Sequence, residues 1–389
     1  MKLDVGSTLP SDESKGALAG RVWLPDVHGP AVVALREGSV FDITDSFATM
    51  RDLCEQPDPA NALSQAKGSR LCSLAELLEN SVESQRDAMR PWLLAPIDLQ
   101  AVKAAGVTFP VSMIERVIEE KARGDASVAD AVRAEIKRLV GGDLHKLKPG
   151  SPEAMALKQS LIKAGAWSQY LEVGIGPDAE IFTKAPPMAA VGTGADAGIH
   201  KMSTWNNPEP EVVLVINSTG AICGATLGND VNLRDVEGRS ALLLGKAKDN
   251  NAAASLGPFI RFFDASFSLD DVRSMEVTLT VEGKDGFRLN GRSNMAMIAR
   301  DPADLAGQLL GPHHQYPDGA VLYCGTMFAP TEDRGEKGQG FTHKVGDVVT
   351  IRSDKLGALV NRIRFAQDCA PWTFGTGALM RNLAKRGLL

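Results

Sequence analysis

The sequence predicts an α+β protein in three parts: a small α+β N-terminal unit over residues 1–105, a helical linker or lid over 106–165, and a C-terminal β-roll over 166–389. Three observations lead there. From about residue 166 short apolar runs alternate with turn signals almost to the end, the pattern of an all-β barrel or roll. Between 106 and 165 apolar residues recur at three- and four-residue steps, the helical period. The first hundred residues mix both patterns.

Taken in order, residues 1 to about 20 are rich in Ser, Gly and Asp and are expected to be poorly ordered. Residues 31–36 and 40–44 flank Glu37-Gly38-Ser39 and read as a hairpin. Short helical patterns follow at 61–66 and 73–80, and 91–97 reads as a strand leading out of the unit. Helices are predicted over 113–121 and 128–140, separated by Gly124-Asp125. Ser151-Pro152-Glu153 opens a third, with Ser as cap and Pro at the first helical position. In the last part, 275–280 and 287–290 pair across a turn at 282–286, and 320–323 and 348–352 are two further short strands.

Composition narrows the class of function. A chain of 389 residues has room for two or three domains. Its 44% hydrophobic and 23% charged content is that of a soluble globular protein. A net charge of −6, with Lys and Arg scattered rather than clustered, argues against a nucleic-acid partner. Cys54, Cys72, Cys223, Cys324 and Cys369 lack metal-ligand spacing and read as reduced thiols of a cytoplasmic protein. The N-terminus has no apolar core for a signal peptide, and no apolar run is long enough to cross a bilayer, so no membrane partner is expected.

The chemistry concentrates at Glu209, Glu211 and Asp230. Glu209-Pro210-Glu211 leads into the apolar run 212–216, Ser218-Thr219-Gly220 makes a turn, and 221–227 returns to Gly228-Asn229-Asp230. Strand side chains alternate faces, so Glu209 and Glu211 project together. The hairpin brings Asp230 back beside them. Three converging carboxylates repel unless a cation lies among them. All-oxygen ligands suit a hard ion, Mg²⁺ first, with Mn²⁺ or Ca²⁺ as substitutes. A Glu-x-Glu pair by itself also fits a solvated strand edge. What adds to it is the order of residues that follows: Asn229-Asp230-Val231-Asn232-Leu233-Arg234-Asp235, then Lys248, then Leu256-Gly257-Pro258-Phe259, then Gly325-Thr326.

That order resembles the fumarylacetoacetate hydrolase superfamily over roughly residues 166–389, most specifically at 229–235. The resemblance implies a β-roll of that type, Mg²⁺ held by Glu209, Glu211 and Asp230, and a homodimer. It matches the substrate-contacting lysine to Lys248, with Lys246 ranked second. It also matches the glycine-linked threonine to Thr326, and to Arg234 the arginine after the metal aspartate. Bound metal would draw electrons from C2 of a 2-oxo acid and acidify C3, giving an enolate open to dehydration, C–C hydrolysis or decarboxylation. Lys248, if desolvated, would have a lowered pKa and carry protons, or else it pairs with a carboxylate. Arg234 positions substrate, or pairs with Asp235 or Glu237. Thr326 binds substrate, or serves only as a turn residue.

One departure selects among these outcomes. The diketo-acid hydrolases of this family carry a His-Glu pair on a lid helix, whereas this chain has Ser112-Met113-Ile114-Glu115-Arg116 and no histidine between Thr108 and Arg138. The segment looks closer to the sugar-acid dehydratases, in which a Glu-Arg pair begins the lid. Glu115 would then help the C4 hydroxyl leave, unless it forms only a surface helix pair. The expectation is Mg²⁺-dependent dehydration of a 2-keto-3-deoxy sugar acid, a pentonate first, to 2-oxoglutarate semialdehyde. The alternatives are a C–C hydrolase of acylpyruvate or 2,4-diketo sugar acids, and a 2-oxo acid binding protein without turnover.

Overall fold

The computed structural model describes residues 1–123, 125, 127, 129, 131, 147–163, 165, 167–328, 330–334 and 340–389. Its larger sheet follows the spatial order Ser69–Ser73, Ser39–Asp42, Gly29–Arg36, Leu18–Leu24, Ala254–Phe262, Ile222–Asp230, Pro210–Ile216, Ala320–Tyr323, Ala101–Gly106, Glu180–Ala185. The two-residue strand Trp92–Leu93 adds to Leu18–Leu24. A second, five-stranded sheet runs Arg288–Asn294, Glu276–Glu282, Val348–Ser353, Gly357–Phe365, Asp196–Ile199. Both are open paths rather than a closed barrel.

Strands from residues 1–105 and from 166–389 lie in the same large sheet. Leu18 and Ala19 pair antiparallel with Arg261 and Ile260, and Ala101–Gly106 pairs parallel with Ala320–Tyr323. The central strands Pro210–Ile216 and Ala254–Phe262 are buried along their whole length, as expected where both faces are covered. On one face of Pro210–Ile216, Val212, Leu214 and Ile216 join a core with Val277, Leu279 and Ile351 of the second sheet. On the other, Val213 and Val215 pack with Ile260, Val321 and Tyr323. The period-2 alternation thus fills two cores from one strand.

Most predicted elements recur with shifted ends. The 31–36/40–44 hairpin is Gly29–Arg36 with Ser39–Asp42. The helix at 73–80 is Leu74–Ser81, with Ser73 and Glu76 completing a capping box. Pro152 opens Pro152–Lys163, and 113–121 is contained in Pro110–Lys121. The helix predicted at 128–140 lies outside the described residues except for 129 and 131. The expectation for residues 1–20 is corrected. Val5–Thr8 forms a helical turn capped by Asp4, and Leu3, Leu9 and Leu18 are buried. Asp12 ion-pairs with Arg261 at 2.6 Å, and a Cβ at Gly16 would come within 2.8 Å of the same guanidinium. Of the small and acidic residues read as disorder, Asp12 and Gly16 fit that arginine and Asp4 caps the first turn.

Candidate active site

The hairpin Pro210–Ile216/Ile222–Asp230 places Pro210 opposite Asn229 and Glu211 opposite Gly228. Asp230 N–H donates to Glu209 O at 3.0 Å, and Asn229 Oδ1 accepts from Glu209 N–H at 3.0 Å. These bonds fix the strand entrance, and Glu209, Glu211 and Asp230 converge there, all buried. One oxygen from each lies within 4.8 Å of the others. Opposite ligands of one ion stand about 4.2 Å apart around Mg²⁺ and up to about 5.2 Å around Ca²⁺, so the donor set fits a divalent hard cation with small side-chain adjustments. Burial, then the charges of Asp230 and Glu209, push the Glu211 carboxyl well above its usual range, the repulsion a cation would relieve.

Three cations surround these carboxylates. Lys248 Nζ, at the end of Leu244–Lys248, lies 2.6 Å from Glu209 Oε2 and 3.0 Å from Asp230 Oδ2. Burial alone would lower it, but Asp230 and Glu209 outweigh burial and hold it above the ordinary lysine range. The expected lowering of Lys248 is therefore reversed: the desolvation is present, and two carboxylates at contact distance override it. Lys246 is exposed. Lys184, on Glu180–Ala185, stands 2.8 Å from Asp230 Oδ1 and donates to the carbonyls of Val231 (3.2 Å) and Lys248 (2.7 Å). Arg116, on Pro110–Lys121, donates to Glu209 Oε1.

Arg116 also begins a buried ionic chain. It binds Glu119 at 2.6 Å and stands 3.4 Å from Glu237. Glu119 in turn accepts from Arg234 Nε at 2.6 Å. Burial would raise Glu119, but Arg116 and Arg234 outweigh it and hold the carboxyl low. Arg234 further binds Glu115 at 3.2 Å and Pro330 O at 3.1 Å, with its guanidinium over the Trp205 ring. Its acidic partners are thus Glu119 and Glu115 rather than Asp235 or Glu237, and Asp235 binds Ser203 and Thr204.

The carboxylates open on a narrow cavity of about 10 Å³, near the minimum for one water-sized sphere. Of the sequence candidates, Glu209, Glu211, Asp230, Lys248 and Thr326 line it, whereas Glu115 and Arg234 stand one layer out. The Thr326 hydroxyl donates to Phe328 O at 3.1 Å. Gly325, at φ +98°, sends its N–H to Glu211 Oε2 at 2.6 Å, and a Cβ there would collide with Thr108 Oγ1.

Several groups were not visible in the sequence. Lys184 and Glu237 carry no motif, and Glu237 lines the cavity, with burial pushing its carboxyl up to about 7. Glu180 is raised by burial, and its carboxyl lies over Gly106, a cavity residue at which any Cβ would collide with it. The signal for Glu180 and Lys184 was their four-residue spacing on a strand facing the site, which shows only once that strand is paired to Ala101–Gly106.

A protein 26% identical over 332 residues, spanning 85% of this chain and 94% of the relative, is the probable 2-keto-3-deoxyxylonate dehydratase of Haloferax volcanii. A 2-dehydro-3-deoxy-D-arabinonate dehydratase of Saccharolobus solfataricus is 30% identical over 185 residues, 48% of this chain and 58% of the relative. Among solved structures, 2-keto-3-deoxy-D-arabinonate dehydratase complexed with magnesium and 2,5-dioxopentanoate superposes with a TM-score of 0.60 at 20% identity, covering 90% of this chain and 99% of that one. The profile of the fumarylacetoacetate (FAA) hydrolase C-terminal family matches residues 158–364. The chain belongs to the fumarylacetoacetate hydrolase family.

Proposed function

We propose that this protein is a Mg²⁺-dependent hydro-lyase that removes water from a 2-keto-3-deoxy sugar acid, a pentonate first, to give a 2,5-dioxo acid. The observation that carries the reading is the buried convergence of Glu209, Glu211 and Asp230 with Lys248 between two of them. The names of the relatives point the same way. Mg²⁺, when bound by the three carboxylates, supplies a Lewis acid that polarises a 2-oxo acid.

The chain's own residues do the rest. Lys248 is held charged by its carboxylate neighbours and orients the anionic head of the substrate. Thr326 offers a hydroxyl at the cavity wall. Proton delivery to the departing C4 hydroxyl has two candidates: Glu115, which the resemblance favours, and Glu237, which lines the cavity and is poised near neutrality. Arg234 fastens the helix Pro110–Lys121 through Glu119 and Glu115. A five-carbon acid needs far more room than the cavity offers, so a wall must shift to admit it. Ser112 and Arg116, on a helix outside the sheets, form one such wall.

Against the C–C hydrolase reading stands the lining itself, which among the described residues contains no histidine to activate water. The test is consumption of 2-keto-3-deoxypentonate by the purified protein before chelation, after chelation, and after Mg²⁺ is restored. Loss and recovery of turnover support the reading. Turnover indifferent to chelation, or none with Mg²⁺ present, contradicts it.

A further inference from the structure

Metal preference at a three-carboxylate site depends on how many oxygens each carboxylate can offer. Ca²⁺ takes about six to eight ligands at roughly 2.3–2.6 Å and accepts bidentate carboxylates, whereas Mg²⁺ requires a near-octahedral set at about 2.0–2.1 Å. In this protein one oxygen of each carboxylate is already engaged by a donor other than Lys248. Arg116 Nη2 donates to Glu209 Oε1. Gly325 N–H donates to Glu211 Oε2 at 2.6 Å. Lys184 Nζ ion-pairs with Asp230 Oδ1 at 2.8 Å, outside hydrogen-bond geometry.

The donors are themselves held in place. Arg116 is gripped by Glu119 at 2.6 Å, and Lys184 by the carbonyls of Val231 and Lys248. Both are buried, so neither is replaced by bulk water. What remains is one oxygen per carboxylate: Glu209 Oε2 and Asp230 Oδ2, which share Lys248 Nζ, and the second oxygen of Glu211. Three single oxygens supply half an octahedron and no bidentate grip.

We propose that Arg116 and Lys184 are positioning residues that set the metal preference of the site. By engaging one oxygen each of Glu209 and Asp230, they leave each carboxylate a single oxygen to offer a cation, the one Lys248 now contacts, and so select a small six-coordinate cation, Mg²⁺ or Mn²⁺, against Ca²⁺. The inference rests on the metal-dependent reading above and deepens it.

The test is calorimetric titration of the full chain with Mg²⁺, Mn²⁺ and Ca²⁺ in turn, for wild type, Arg116→Met, Arg116→Lys and Lys184→Met. Wild type is expected to bind Mg²⁺ and Mn²⁺ at least about tenfold more tightly than Ca²⁺. Each Met variant is expected to narrow the Mg²⁺-to-Ca²⁺ ratio by about fivefold or more, with Arg116→Lys restoring part of it. The ratio is the readout because general damage to the site weakens all three ions together. A wild type that holds Ca²⁺ as tightly as Mg²⁺, or variants that shift every ion by one common factor, overturns the proposal. Should Arg116→Met fail to fold, with Glu119 and Glu237 left without that cation, Lys184→Met decides the question alone. A wild type that binds no divalent ion overturns the metal-dependent reading itself, and so is distinguishable from failure of the selectivity argument.

Discussion

Lys248 Nζ lies 2.6 Å from Glu209 Oε2, so the lysine matched to substrate binding is also the counter-ion of a proposed metal ligand. An ammonium and a divalent ion compete for the same carboxylate oxygen. Lys248→Met is therefore expected to raise Mg²⁺ affinity while lowering kcat/KM by about 10²–10⁴, the range of a lost proton-handling or orienting group. Calorimetry beside steady-state kinetics checks both. Loss of metal binding in this variant would mean that Lys248 builds the site rather than competes within it.

Asp230 answers to two lysines, Lys184 at 2.8 Å and Lys248 at 3.0 Å. Burial would raise its carboxyl, but both cations outweigh burial and hold it low. Asp230→Asn is expected to cut Mg²⁺ affinity by about 100-fold or more, beyond what losing an outer partner costs. It also leaves two buried cations short of an anion, a loss on the order of 3–5 kcal/mol in the metal-free protein. Titration and thermal unfolding in chelator measure the two effects. Unchanged metal affinity would sink the three-carboxylate site.

The pH dependence of kcat tests Glu237 as the acid. Glu237 is pushed up to about 7, first by burial, so its carboxyl carries a proton below that pH and loses it above. If it is the acid, kcat falls as pH rises through about 7, and Glu237→Gln removes that limb along with about 10²–10⁴ of the rate. Glu115→Gln is expected to keep the limb and to weaken the Arg234 contact. A limb that survives in Glu237→Gln and vanishes in Glu115→Gln would return the role to Glu115.

His343 gives a stability signature away from the site. Burial lowers its pKa more than Asp347, at 3.2 Å, raises it. The unfolded chain therefore takes up this proton at higher pH than the folded one. The stabilising contribution is complete above about pH 6.5 and is lost as pH falls through the lower folded value, at up to about 1.4 kcal/mol per pH unit. Chemical unfolding between pH 5 and 8 is expected to show this slope, flattened in His343→Asn. A slope unchanged in the variant assigns the effect elsewhere.

The residues that could be read in advance are those whose neighbours are close in sequence. Glu209, Glu211 and Asp230 belong to one hairpin, so strand alternation and a turn at 218–220 suffice to bring them together. Ser73 and Pro152 mark helix starts by local capping chemistry. Lys184 and Arg116 reach the same carboxylates, and Glu180 the cavity wall at Gly106, from a strand and a helix whose placement depends on Ala101–Gly106 running parallel to Ala320–Tyr323. That contact spans more than two hundred residues and leaves no local trace. The sign of the Lys248 shift was missed for the same reason: desolvation follows from burial, but its reversal depends on two carboxylates at contact distance. Residues 1–20 misled because Gly16 and Asp12 are fitted to Arg261, far along the chain.

The most direct test of the dehydratase reading is product identification by NMR, using Mg²⁺-loaded protein and 2-keto-3-deoxypentonate of each C4 configuration. The predicted result is a five-carbon 2,5-dioxo acid formed from one configuration in preference to the other, and absent after chelation. Pyruvate with a two-carbon aldehyde, or no product from either isomer, would contradict it.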